Sequence, residues 1–192
     1  MITTIIFDWG SVIAPSDSKT AVGILKKNFE LNESDFLEYF SQYEDEFCDT
    51  NNYEDFLSIA NQKFNIPIDL IINALNSASA GENLEIATQL SEKYETYILS
   101  NQLKFRTDYI KKTFDLSSFE KVFFSNEIGM KKPSEEIFRF LLKDIDKAPE
   151  ECLFIDDMPE NISIAKKLGL NVIQLDDINQ LKQELVAFGV YH

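Results

Sequence analysis

Four short stretches of this chain carry side chains able to do chemistry together. Asp8 closes the apolar run Thr3-Thr4-Ile5-Ile6-Phe7 and is followed by Trp9-Gly10-Ser11. Ser100-Asn101 follow Tyr97-Ile98-Leu99, Lys131-Lys132-Pro133 follow Gly129-Met130, and Asp156-Asp157 follow Leu153-Phe154-Ile155, with Asn161 shortly after. Adjacent carboxylates at the end of a buried segment repel each other and lose hydration. A bound hard cation removes that cost, and a set of oxygen ligands suits magnesium. A serine hydroxyl, the backbone amide after it and a lysine are donors for an anion such as phosphate. Pro133 fixes the backbone and holds Lys132 extended, so that this lysine can point inward as a fixed cation. Each stretch also has an ordinary reading: Asp8 as a turn residue, the lysines as a solvated pair, Ser100-Asn101 and Asp156-Asp157 as helix caps. Convergence on one crevice, rather than any single stretch, carries the chemical reading.

The elements around these stretches are expected to bring about that convergence. Short apolar runs that stop at polar residues read as buried strands. Thr3 to Phe7, Thr96 to Leu99, Val122 to Phe124, Leu153 to Ile155 and Val172 to Leu175 are five such runs. Amphipathic helices are expected between the later ones, over Leu84–Tyr94, Phe105–Phe114, Ser134–Leu142, Ile162–Leu168 and Ile178–Phe188. Strands alternating with helices of this length imply right-handed crossovers and a parallel sheet covered on both faces. Ligands bind such sheets beyond the carboxyl ends of the strands, where all four stretches lie. From Ser16 to Gly81 the pattern is helical throughout. Val22, Leu25 and Phe29, then Phe36, Leu37, Phe40, Tyr43 and Phe47, then Phe56, Leu57, Ala60 and Phe64 recur at helical spacing, and Pro67 suits the start of a fourth helix reaching about Ser79. This segment is an insertion after the first strand, placed to sit over the site, and its aromatics suit the core of a small bundle.

Composition narrows the chemistry. With 44% hydrophobic residues and 16 Phe in 192 residues, the chain is expected to be globular. A net charge of −15 argues against nucleic acid and anionic membrane surfaces as partners, and an anionic substrate must be held by local cations. The only histidine is His192, at the last position, which removes Ser-His-Asp and Cys-His catalysis and His-ligated zinc. Cys48 and Cys152 read as free thiols. The start of the sequence lacks the basic segment and apolar stretch of a signal peptide, and no apolar run approaches a membrane span, so a cytoplasmic location is expected.

Taken in order, Ile5-Ile6-Phe7-Asp8-Trp9-Gly10-Ser11-Val12, Leu99-Ser100-Asn101, Gly129-Met130-Lys131-Lys132-Pro133 and Phe154-Ile155-Asp156-Asp157-Met158-Pro159-Glu160-Asn161 resemble the motifs of the haloacid dehalogenase-like hydrolases, and within them the small sugar-phosphatase-like members with an Asp-x-Gly opening. The resemblance implies an α/β fold: a Rossmann-like parallel five-stranded sheet of order 5-4-1-2-3 with helices on both faces. Residues 1–15 and 82–192 would form the core and residues 16–81 an inserted helical cap. It implies Asp8 as the nucleophile that forms an aspartyl-phosphate, and Mg2+ held by Asp8, the Gly10 carbonyl and Asp157, with Asp156 a direct or water-mediated helper. Ser100, the Asn101 amide and Lys132 would hold the phosphoryl oxygens, with Trp9 and Gly10 also against the substrate. That substrate would be a small phosphorylated metabolite, and the protein a monomer or homodimer.

One position departs from the family pattern. Most phosphatases of the superfamily place a second aspartate two residues after the nucleophile, where this chain has Gly10. General acid-base help of that kind is worth about 10² to 10⁴-fold. Its absence favours substrates with acidic leaving groups, such as an anomeric sugar phosphate or an acyl phosphate. Two other readings stay open on sequence alone. A 2-haloacid dehalogenase also uses an aspartate without the second one, but leaves Asp156-Asp157 unexplained. A phospho-ligand-binding protein on the same fold would keep the site without turnover. Specificity would come from the cap, which offers Asp17, Tyr43, Asp45, Glu46 and Asn51.

Overall fold

In the computed structural model, residues 1–191 are described, apart from the side chains of residues 43–45. Tyr43, Asp45 and His192, named above, therefore lie outside the described residues. Five strands form one sheet of order β3-β2-β1-β4-β5, every adjacent pair parallel: β1 (Thr4–Phe7), β2 (Glu95–Ser100), β3 (Lys121–Phe124), β4 (Cys152–Asp156) and β5 (Asn171–Gln174). This is the expected 5-4-1-2-3 order read from the other edge. Ile5 pairs with Thr96 on one side and Leu153 on the other, so β1 is central. All four of its residues are buried, as a strand covered on both faces requires.

Alternation along β1 divides the core into two layers. Ile5 and Phe7 pack with Ile98, Leu153 and Ile155 under α5 (Gly81–Leu90) and α10 (Leu181–Phe188). Ile6 packs on the opposite face with Tyr97, Leu99 and Phe154 under α8 (Glu135–Asp144) and α9 (Pro159–Lys167). Each such side chain stabilises by about 1.5–3 kcal/mol when fully buried. A one-residue slip of β1 would turn its apolar set onto the wrong layers and displace Asp8 from the strand end.

Between β1 and α5 the chain forms α1 (Asp17–Leu25), α2 (Glu33–Phe47), α3 (Tyr53–Phe64) and α4 (Ile68–Leu75). These helices share their own apolar cluster, in which the Phe36 ring lies 4.4 Å from Phe40 and the Phe40 ring 4.9 Å from Phe56. The buried Tyr39 hydroxyl donates to the Phe56 carbonyl at 2.5 Å, so burying this phenol leaves no polar atom unpaired. Leu103 and Phe105, at the start of α6 (Lys104–Thr113), complete that cluster from the sheet side. Among the described residues no helix is long and apolar enough to cross a membrane.

Several boundaries differ from the sequence pattern. The helix expected over Leu84–Tyr94 runs from Gly81 to Leu90, and α4 stops at Leu75 rather than near Ser79. Asn76, the residue at which α4 stops, has its side chain drawn to Arg106 of α6. A four-residue helix, α7 (Ser125–Ile128), was not expected, because one turn is too short to show a period; Gly129 ends it at φ 67°, a left-handed conformation that glycine adopts freely.

Candidate active site

The carboxyl ends of β1, β2 and β4 and the segment before α8 meet in a crevice of about 420 Å³. Asp8 follows β1 and is anchored by its backbone N–H, which donates to the Ile155 carbonyl at 2.9 Å. The next turn folds back at once, the amides of Ile13 and Ala14 both donating to the Trp9 carbonyl at 2.9 Å. Trp9 itself turns away from the crevice. Its indole is fully buried and packs edge-on against Phe114, 5.0 Å between centroids. The expectation that Trp9 lies against the substrate is thus corrected for its side chain, since a large apolar ring after a buried strand is taken up by the core layer.

Lys132 is the centre of charge. Its side chain is 2% exposed, with Nζ 2.6 Å from Asp156 Oδ2 and 2.9 Å from Asp8 Oδ1, the latter an ion contact short of hydrogen-bond geometry. Burial works against the ammonium, but the charges of Asp156 and Asp8 outweigh it and hold its pKa above the ordinary value. Asn101 fixes this lysine from behind: its Nδ2 donates to the Lys132 carbonyl and its Oδ1 accepts from the Lys132 N–H, both at 2.9 Å. The Asn101 side chain is therefore spent on the Lys132 backbone, and its main-chain amide is what it can offer a ligand. The Lys132–Pro133 peptide is cis.

The three aspartates offer oxygens within 4.8 Å of one another. Their environments differ. Asp156 is fully buried and engaged on both oxygens, Oδ1 by the Met158 amide at 2.8 Å and Asn161 Nδ2 at 2.9 Å, Oδ2 by Lys132. Asp157 is half-buried, and its pKa is raised by burial and by the Asp156 charge, with the Ser11 hydroxyl opposing. Burial pushes Asp8 up to about 7 against the pull of Lys132, with the Asp156 charge adding to the rise and the Ser100 hydroxyl opposing it. Three carboxylates facing one ammonium leave an excess of negative charge, which is what a hard dication neutralises. The donor set fits magnesium: all oxygen, with Asp8 and Asp157 less engaged than Asp156.

Of the residues named from the helical segment, Asp17 lines the crevice, whereas Glu46 and Asn51 are exposed and do not. Sequence reasoning missed what Asp17 is bound to. Arg106 Nε and Nη2 donate to its two carboxylate oxygens at 2.7 and 2.6 Å, and Nη1 donates to Asn76 Oδ1 at 2.6 Å. Gln102, in the loop after β2, was also missed; only its place two residues beyond Ser100 could have drawn attention to it.

A parallel sheet with this order, a carboxylate after its central strand and a lysine between that carboxylate and a second aspartate define a hydrolase fold and site, and the sequence agrees: residues 2–169 match the family model of haloacid dehalogenase-like hydrolases, and the chain belongs to that family. Over 97% of its length it is 27% identical to the D-ribitol-5-phosphate phosphatase of Bacteroides thetaiotaomicron, covering 98% of that relative. It is also similar to a haloacid dehalogenase family enzyme of the same organism solved with magnesium and inorganic phosphate, at TM-score 0.75 and 25% identity, over 91% of this chain and 94% of the other. The L-2-haloacid dehalogenase of Xanthobacter autotrophicus shares the fold alone, at TM-score 0.69 and 16% identity over 98% of this chain and 82% of that one.

Proposed function

We propose that this enzyme is a magnesium-dependent phosphatase that hydrolyses a small phosphorylated metabolite, with sugar and polyol phosphates as the substrate class, through an aspartyl-phosphate on Asp8. The observation that carries it is the placing of Lys132 between Asp8 and Asp156, with Asp157 beside them. Asp8 Oδ attacks phosphorus in line as the bond to the leaving oxygen breaks, that oxygen takes a proton from solvent water and departs as the alcohol, and a second water then cleaves the acyl phosphate to return the carboxylate and inorganic phosphate. Lys132, the Ser100 hydroxyl and the Asn101 amide hold the phosphoryl oxygens. Asp156 holds Lys132 and, with both oxygens already engaged, would help the metal through a water. Mg2+, held by Asp8, Asp157 and the Gly10 carbonyl, supplies positive charge that lets an anionic nucleophile approach an anionic ester. Residues 16–81 serve as the cap over a core of residues 1–15 and 82–192, a division supported by the separate apolar cluster of α1–α4.

Purified protein titrated with Mg2+ in the presence of p-nitrophenyl phosphate and a panel of phosphorylated metabolites beginning with D-ribitol 5-phosphate tests this. Turnover that requires the metal and is lost on chelation supports the proposal. Metal-independent halide release from 2-chloropropionate would instead make it a dehalogenase, and phosphate binding without turnover a binding protein.

Gly10 gives a second expectation. A Cβ at this position would meet no heavy atom within 4 Å. The leaving oxygen therefore has no side-chain acid from this residue, and rates across a series of phosphate esters should rise steeply with leaving-group acidity. Gly10→Asp is expected to raise turnover of alkyl phosphates by about 10 to 10²-fold and to flatten that slope. A flat slope in the wild type would sink the idea that proton donation limits it.

A further inference from the structure

Gln102 lines the crevice beside Ser100, is 3% exposed, and is used by nothing in the mechanism above. Its backbone is fixed, the N–H donating to Ser125 Oγ at 2.9 Å. Its side chain has two different ends. Nε2 donates to Ser100 Oγ at 3.3 Å, whereas Oε1 is shut off from solvent and has no hydrogen-bond partner. The orientation of the amide follows from its neighbours. An ionised Asp8 and a phosphoryl oxygen both accept only, so Ser100 must give its single proton to them. Ser100 Oγ then accepts from Gln102, which needs the NH₂ end there and leaves the carbonyl over.

A buried amide carbonyl without a donor is costly, and the end of a glutamine side chain turns about a soft torsion. Oε1 is enclosed in this conformation, so a donor that enters the crevice meets it once the amide turns about that torsion. Asp8 sets where the phosphorus sits, and Ser100 next to it sets where Gln102 meets the ester: at the carbon skeleton close to the phosphate. We propose that Gln102 is a specificity-determining residue whose side-chain carbonyl accepts a hydrogen bond from a hydroxyl on that skeleton, so that hydroxylated phosphate esters are selected over alkyl ones. Ser18 of α1 and Ser41 of α2 line the same crevice and suit a polyhydroxylated ligand. The inference rests on the phosphatase reading and adds the chemistry of the part that leaves.

The test compares kcat/KM for erythritol, ribitol and sorbitol phosphates with that for butyl, pentyl and hexyl phosphates, with p-nitrophenyl phosphate and Mg2+ as the control for the chemical step. Wild type should favour the hydroxylated ester of each matched pair by about 10²-fold or more, as sites that pair with a substrate hydroxyl do. Gln102→Met keeps the length and loses the acceptor, and should cut that ratio at least tenfold. Gln102→Glu keeps an acceptor and should retain most of the ratio. Both variants deprive Ser100 of its donor, an effect common to all esters that cancels in the ratio. Circular dichroism and thermal melts confirm that each variant is folded. A wild type that turns over p-nitrophenyl phosphate without preference between paired esters overturns the inference alone. So does a Gln102→Met ratio equal to wild type, with all rates lowered together. A wild type without turnover of any ester overturns the phosphatase reading, and this inference with it.

Discussion

Asp8→Asn should lower kcat on p-nitrophenyl phosphate by about 10⁴-fold or more, the scale seen when the reacting group of an enzyme is removed. An amide neither attacks phosphorus nor carries the charge that a bound dication needs. The same substitution should leave the fold intact or firmer. Lys132 keeps its 2.6 Å partner Asp156, so no uncompensated charge is created. Burial has pushed the Asp8 carboxyl up to about 7, above its ordinary 3.8, so the folded metal-free protein holds this proton more tightly than the unfolded chain does. The stability linked to that proton is fully present below pH 3.8 and is lost as pH rises through 7. Metal-free Asp8→Asn should therefore melt at or above the wild-type temperature at pH 8, with the difference vanishing near pH 4. A gain of that kind would be the usual exchange of stability for function. A kcat within tenfold of wild type would remove Asp8 from the role of nucleophile.

Sequence was most informative where chemistry and local structure coincide. Asp8, Ser100 and the Asp156-Asp157 pair each end an apolar run, and a parallel sheet brings the carboxyl ends of neighbouring strands together whatever else the chain does. Strand order put β1 between β2 and β4, so these residues had to meet. Lys132 was legible for a different reason, as one of few cations placed beside a residue that restricts the backbone. Contacts between distant segments left no such trace. Arg106 and Asp17 lie 89 positions apart, and each alone looks like an ordinary helix charge. Asn101 could be read as a cap or an anion site, but not as the clamp on the Lys132 peptide, because that needs the position of a loop 31 residues further on. Trp9 was placed against the substrate by the family resemblance alone, and the direction its ring faces is decided by the folded core. The empty space beside Gly10 and the unpaired end of Gln102 are properties of the folded chain only.

The contact least visible in sequence carries the second large effect. Arg106 is 2% exposed and grips Asp17, at the start of α1, and Asn76, just after α4. One side chain of the sheet-packed helix α6 thus ties down both ends of the inserted helices. Arg106→Met should destabilise the protein by about 3–5 kcal/mol, the range for removing one partner of a buried pair, because the Asp17 carboxylate stays buried without its counter-charge. The pH dependence identifies the cause. Burial raises Asp17 to about 6 even with Arg106 pulling it down, so the stability linked to its protonation is present below pH 3.8 and lost as pH rises through 6. Without the guanidinium, burial acts unopposed and that loss becomes larger and extends to higher pH. Urea titrations should show the variant furthest below wild type at pH 8 and closest to it near pH 4. Arg106→Met combined with Asp17→Asn removes the stranded charge and should recover more than half of the deficit at pH 8. A deficit below about 1 kcal/mol, or one that does not change with pH, would mean that the guanidinium acts by packing alone and that α1 and α4 are held over the sheet by their apolar contacts with Leu103 and Phe105.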